Sequence, residues 1–378
     1  MAARSALLPA FPSPTVTEMR GSGLIDRRSF VKAAGTLFLA SLSPRALFAL
    51  ERSDAVFASG FRAPDGAFGI GLVAEDGTFI DRIDLPDRIH GMGHSPTTGL
   101  SVALARRPGT FAVIFDSSKR SEPIVIAAPD NRHFFGHGHF SPDGRLLYAS
   151  ENDFDANRGM IGVYDATDGF RRIGEFEAHG IGTHDMTVSD DGSMLIIANG
   201  GIETHPDFGR TKLNLECMEP SLVIADAATG TLIEKHVMPP ELSQLSTRHL
   251  DVDQQGRVWF ACQYEGSRNE MPPLVGHFAK GEALSFVALP DEVTAGLANY
   301  VGAIAVNRRD GLVGVTSPKG GLAVTLDART GSVVSTANVA DAAGIAPAAS
   351  GFAVSSYDGH FGANRSPVAW DQHIVRIS

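Results

Sequence analysis

A unit of roughly 40–50 residues recurs along the chain, and this repeat constrains the fold more than any single motif. One copy runs "HGMGHSPTTGLSVALARR…FAVIFD" and the next "HGHFSPDGRLLYASEND…IGVYDATDGFRRIGEFE". A third runs "HDMTVSDDGSMLIIANGG…SLVIADAATGTLIEKHV", a fourth "RHLDVDQQGRVWFACQYEG…LVGHFAKGEALSFVAL". The fifth, "YVGAIAVNRRDGLVGVTSPKGGLAVTLDARTGSVVSTANV", keeps the pattern and loses the histidine. Each copy supplies four short runs of alternating or apolar residues separated by glycine turns, the signature of strands and hairpins. "DATDG", "DAATG" and "DARTG" fall between the third and fourth runs, where Asp/Gly chemistry closes a tight turn. The 41 Gly and 21 Pro agree with a turn-rich, all-β chain. Residues 53–86 give about three strands and 344–378 about three more. Five full units and two partial ones predict a seven-bladed β-propeller over 51–378, with six blades as the alternative.

Residues 1–50 read differently. "IDRRSFVKAAGTLFLASLSPRALFAL" (25–50) resembles a twin-arginine export signal with a short apolar core, too short for a bilayer span. It predicts a periplasmic protein with no membrane insertion after cleavage near Ala49; Met19 is an alternative start. This segment carries six basic and two acidic side chains, so the formal charge of −11 leaves about −15 for the rest. Such an acidic surface argues against nucleic acid, whose phosphates need Lys/Arg patches. Cys217 and Cys262 could pair or remain free, and no CxxC pattern assigns them chemistry.

The repeat gives the histidines their meaning. His90 precedes a turn glycine by nine residues, His137 by seven, His184 by eight and His249 by seven. Four consecutive blades therefore place a histidine at the mouth of the channel, beside the innermost strand. Neutral imidazoles converging on an axis suit iron, copper or zinc; the alternative is that each bonds a neighbouring blade and is structural. His139 should share the face of His137, deeper in the channel, with His94 and His133 as satellites. The insertion "NGGIETHPDFGRTKLNLECMEPSL" (199–222) is expected to form a lid, offering His205, Asp207 and Arg210 to a ligand; Arg248 stands next to His249. Asp153, Asp155 and Asn157 imitate the start of a calcium loop, with no Glu to complete it. No GxSxG elbow or phosphate-cradling glycine loop occurs.

The motifs "ARRPG", "GHGHFSPDGRLLYASENDFDANRGMIGVYDA", "HGIGTHDM", "NGGIETHPDFGRTKLNL…MEPSL", "LSTRHL", "VWFACQYEG" and "NYVGAIA" together resemble domain-of-unknown-function family 1513. The resemblance covers most of 53–378 and implies an exported bacterial propeller that accompanies imelysin-type periplasmic iron-uptake proteins. The family pattern carries a histidine at His137, His184, His205 and His249, and is often apolar at His139. The leading expectation is a non-catalytic propeller that binds a transition metal or metal complex in its channel, accessory to iron or other metal uptake. The rivals are a metal-dependent hydrolase or lactonase, with Glu151 as base, and a protein-interaction scaffold with purely structural histidines.

Overall fold

The computed structural model describes residues 55–116 and 122–378. The export-type segment read in residues 1–50 lies outside them. Seven four-stranded antiparallel sheets stand in a ring, so the chain is a seven-bladed β-propeller. The six-bladed alternative is excluded. Only one short α-helix, Asp291–Gly296, interrupts the β architecture among the described residues.

The innermost strands of blades 1 to 6 are Ile89–His94, Arg132–Phe140, Thr183–Val188, Leu245–Val252, Ala303–Asn307 and Ala342–Pro347. Blade 7 closes the ring. Its inner strand is the C-terminal Ala369–Arg376, which pairs with Ala55–Arg62 from the other end of the chain. Residues 344–378 thus contribute more than the three strands the sequence suggested. They complete blade 6, whose outer strands are only two residues each (His360–Phe361, Asn364–Arg365), and also donate the closing strand.

The turns follow from side-chain chemistry. In "DAATG", Asp226 Oδ1 accepts from the backbone N–H groups of Ala228 (3.0 Å) and Thr229 (2.8 Å). In "DARTG", Asp327 does the same with Arg329 (3.0 Å) and Thr330 (2.8 Å). Each is a local cap that sets a hairpin between third and fourth strands.

Apolar residues of second and third strands pack between neighbouring blades. Trp259, Phe260 and Phe278 are essentially inaccessible in the largest cluster, and Phe57, Phe61 and Trp370 knit the closing blade to blade 6. The outer strand Arg171–Glu177 alternates exposed and half-buried residues along its length. Cys262 is buried and Cys217 exposed, and both are free, so the disulfide alternative falls.

Candidate metal centre

The histidines lie on the inner strands themselves rather than in the loops before them. In blades 1, 2, 3, 4 and 7, strand pairing slips at or beside the histidine. Of the two blades without an inner histidine, blade 5 pairs its first two strands without a slip and blade 6 slips between Ala342 and Ile345. A bulge turns a side chain out of the regular alternation, here towards the axis. Glycine then permits close approach. A Cβ on Gly91 would stand 2.4 Å from the Gly136 carbonyl oxygen. Gly136 has φ +109°, and its Cβ would stand 2.7 Å from that of His90. "HG" in blade 1 and "GH" in blade 2 are therefore what let these two strands press their histidines together.

All four predicted histidines meet, and a fifth joins them. His90, His184, His249 and His373 form a square of imidazoles, with adjacent centroids 5.2, 4.7, 4.7 and 4.7 Å apart. The His90–His249 diagonal is 6.4 Å. His137 caps this square, 4.9, 5.1, 5.3 and 4.6 Å from the rings of His90, His184, His249 and His373. Two sets of three, His90–His137–His184 and His137–His249–His373, place one nitrogen from each residue within 4.8 Å of the others, and His137 belongs to both.

His373 was not singled out in the sequence. It sits five residues from the end of the chain, so no turn glycine follows at the offsets that marked the other four.

Asp185, on the inner strand of blade 3, anchors the cap. His137 Nδ1 lies 3.2 Å from Asp185 Oδ1, and His249 Nδ1 lies 3.9 Å from Oδ2. The carboxylate also accepts from the backbone N–H of Met186 (2.8 Å) and of Leu250 (3.2 Å). Burial alone would raise its pKa. The charge and hydrogen bond of His137, with His139 and His249, outweigh this and bring it down to about 2.

Desolvation favours the neutral form of the four imidazoles of the square. It is the main reason that His90, His184 and His373 lie well below the usual histidine pKa and that His249 falls to about 3; repulsion from neighbouring imidazoles and arginines adds to it. Neutral imidazole is the metal-binding form. His137 Nε2, His373 Nε2, His90 Nδ1 and His249 Nδ1 are buried and lack a hydrogen-bond partner. Buried polar atoms in folded proteins are nearly always paired, so a cluster of orphans calls for a missing partner.

His184 differs. Arg248 Nη1 donates to its Nδ1 at 3.4 Å, which leaves the ring proton on Nε2, facing His90 Nε2 at 3.4 Å. His184 must lose that contact before it can ligate an ion.

The remaining candidates divide. Arg210 and Arg248 line the cavity above the square, together with His90, His184 and His249. The 199–222 insertion therefore reaches the channel mouth through Arg210. His205 and Asp207 do not line that cavity. His205 caps the 3₁₀ turn Pro206–Phe208, packs on Phe154 and lies 3.8 Å from Asp155, while Asp207 is 81 % exposed. No Asp207–Arg210 ion pair forms among the described residues. His139 lies 4.0 Å from Asp185, on the same side as His137 and outside both sets of three. His94 bonds Ser101 at 2.9 Å; His133 bonds the Phe134 carbonyl at 2.8 Å and Asn152 at 3.1 Å. Both satellites are structural.

Glu151 cannot serve as the base that a hydrolase here would need. It is fully buried and accepts from Tyr164 (2.7 Å), Arg172 (2.8 Å) and Arg132 (3.4 Å), and none of these bonds reaches the histidines. Asp153 binds Arg158 at 3.0 Å, so the calcium-like run is occupied by a cation of the protein's own.

Solved structures share the fold. The hydrazine synthase of Kuenenia stuttgartiensis is 13 % identical, with a TM-score of 0.60, over 86 % of this chain and 96 % of that one. The Cps50 (Swd1) β-propeller domain of Myceliophteria thermophila is 12 % identical, with a TM-score of 0.55, over 81 % and 94 %. At these identities the likeness is one of architecture. None of the curated proteins matches the chain. A family model does match, over residues 83–377, and spans the histidines, Asp185 and the arginines above them. The chain belongs to the proteins of unknown function grouped as DUF1513.

Proposed function

We propose that this propeller binds a single transition-metal ion inside the imidazole nest, with His137 as the ligand common to every arrangement. The observation that carries this reading is the gathering of five histidines into two sets that share His137, four of the five with a buried ring nitrogen that has no partner. Leaving each unpaired costs about 1–3 kcal/mol, a cost that coordination would remove. An all-nitrogen set favours copper, iron, nickel or zinc over calcium or magnesium, which take oxygen ligands.

His137, His249 and His373 make the favoured triad. His137 turns its Nδ1 to a carboxylate and keeps Nε2 free, the arrangement that orients metal-bound histidines elsewhere. His90 and His184 complete the square, with His184 the weakest donor because Arg248 holds it. We place the protein, on the strength of its export-type N-terminus and family resemblance, in the periplasm, assisting metal uptake beside an imelysin-like partner.

Metal titration of the apo protein tests the reading. Wild type is expected to bind one equivalent of Cu(II), Zn(II) or Fe(II). His137→Ala should abolish binding, His373→Ala should weaken it strongly, and His184→Ala should weaken it least. No stoichiometric binding, or binding indifferent to His137→Ala, would overturn it.

A further inference from the structure

A cavity of about 30 Å³ lies against the square, lined by His90, His184 and His249 but by neither His137 nor His373. Its walls carry four arginines: Arg106, Arg107, Arg210 and Arg248. They come from three places in the chain. Arg106 and Arg107 follow the second strand of blade 1, Arg210 belongs to the insertion of blade 3, and Arg248 lies on the inner strand of blade 4.

Their charges are poorly compensated. Asp371, the nearest carboxylate to Arg106 at 3.9 Å, is already held by Arg88 through two bonds of 2.9 and 3.0 Å from Nε. Glu265 pairs with Lys212. Among the described residues no carboxylate forms an ion pair with Arg107, Arg210 or Arg248. Arg106 Nη1 is buried with no hydrogen-bond partner. Arg248 is only 9 % exposed, and its Nε is fixed by Gln263 Oε1 at 3.2 Å. Burial, and then repulsion from the neighbouring guanidiniums, lowers Arg107 to about 9 and Arg210 to about 10. Gathering four cations at one mouth is unfavourable unless an anion joins them.

We propose that Arg106, Arg107, Arg210 and Arg248 hold a small oxyanion against the imidazole square. Guanidinium forks match the geometry of carboxylate, carbonate and phosphate oxygens. The space is that of a few water positions, so one three- or four-oxygen group enters and a nucleotide does not. Where the proposed ion is present, the anion offsets the charge that neutral histidines leave. That second role rests on the metal reading; anion capture by the arginines does not. Two sources share the chemistry: a free inorganic anion, or a carboxylate of a metal chelate delivered whole.

Calorimetric titration of the full chain with phosphate, bicarbonate and citrate separates these, using wild type, Arg107→Gln, Arg210→Gln and His137→Ala. At least one anion should bind the apo protein one to one, and roughly tenfold or more weakly in each arginine variant, as expected for a lost charged hydrogen bond. Arg210 lies on the exposed insertion, so its variant tests the site even if Arg107→Gln misfolds. Phosphate or bicarbonate binding identifies a free anion; binding of citrate alone identifies the chelate. Anion binding retained in His137→Ala would uphold this inference even if no metal binds. No binding of any of the three to apo or metal-loaded wild type, or binding unchanged in both arginine variants, would overturn it.

Discussion

His137 and Asp185 belong to adjacent blades, 48 positions apart in sequence, yet Nδ1 of one stands 3.2 Å from Oδ1 of the other. This contact fixes which nitrogen His137 turns towards the other four rings. It resembles the carboxylate–histidine pairing that holds metal ligands in orientation. Asp185 also receives the Met186 and Leu250 amides, so one carboxylate ties the inner strands of blades 2, 3 and 4 together.

Asp185→Asn should therefore lower metal affinity by about 10–100-fold, the usual cost of losing such a partner. Stability should fall by about 1–3 kcal/mol, because an amide replaces one of the acceptor oxygens. Competition with a chromophoric chelator reads the first effect and denaturant unfolding the second.

Acid should destabilise the apo protein. The folded pKa values of His90, His184, His249 and His373 lie below the ordinary value near 6.5, so the unfolded chain binds more protons once the pH drops below that point. Stability is then lost on acidification, by up to about 1.4 kcal/mol per pH unit for each such histidine. For His249 the window runs from about 6.5 down to about 3. Asp185, depressed to about 2, adds a loss of the same sign below about 4. Thermal unfolding of apo protein between pH 8 and pH 5 should show Tm falling below about pH 6.5, and substitution of two of the histidines by Gln should flatten the slope.

Much of this was legible in the sequence, for identifiable reasons. The repeat announced the blades because each needs the same turn glycines and the same alternation, and His90, His137, His184 and His249 stand seven to nine residues ahead of those turns. His373 was hidden because its strand closes a blade begun by Ala55–Arg62, and the chain ends before the landmark turn. Asp185, in "THDM", carries no repeat mark of its own beside His184. Glu151 looked available in an acidic loop sequence, yet lies on the strand Leu146–Asp153, bound to Arg132, Tyr164 and Arg172. Arg106 and Arg107 carried no periodic mark; only the folded ring brings them to Arg210 and Arg248.

Glu151→Gln should separate stability from binding. Removing the charge takes the buried partner from Arg172 and Arg132 but leaves both paired with Glu175, at 2.7 and 2.6 Å, so stability should fall by less than the ~3–5 kcal/mol of a fully broken buried ion pair. Metal affinity of the folded variant should match wild type. Chemical denaturation with parallel metal titration checks both; a large loss of affinity in a fully folded protein would contradict the separation.

Gly136→Ala tests the packing that creates the nest. The residue has φ +109°, and its Cβ would meet His90 at 2.7 Å. A strained backbone and a displaced ring together should cost about 1–3 kcal/mol. Metal affinity should also fall, because His90 and His137 move apart. The same Gly→Ala change at Gly256, where φ is +76° but nothing lies within 4 Å of the added Cβ, should reduce stability and leave affinity intact.

X-ray absorption of metal-loaded wild type probes the coordination sphere most directly. The expected spectrum has at least three nitrogen scatterers at about 2.0–2.1 Å with the multiple-scattering pattern of imidazole, reduced in His373→Ala and absent in His137→Ala. A metal bound only through oxygens, or an imidazole signal untouched by His137→Ala, would contradict a site centred on that residue.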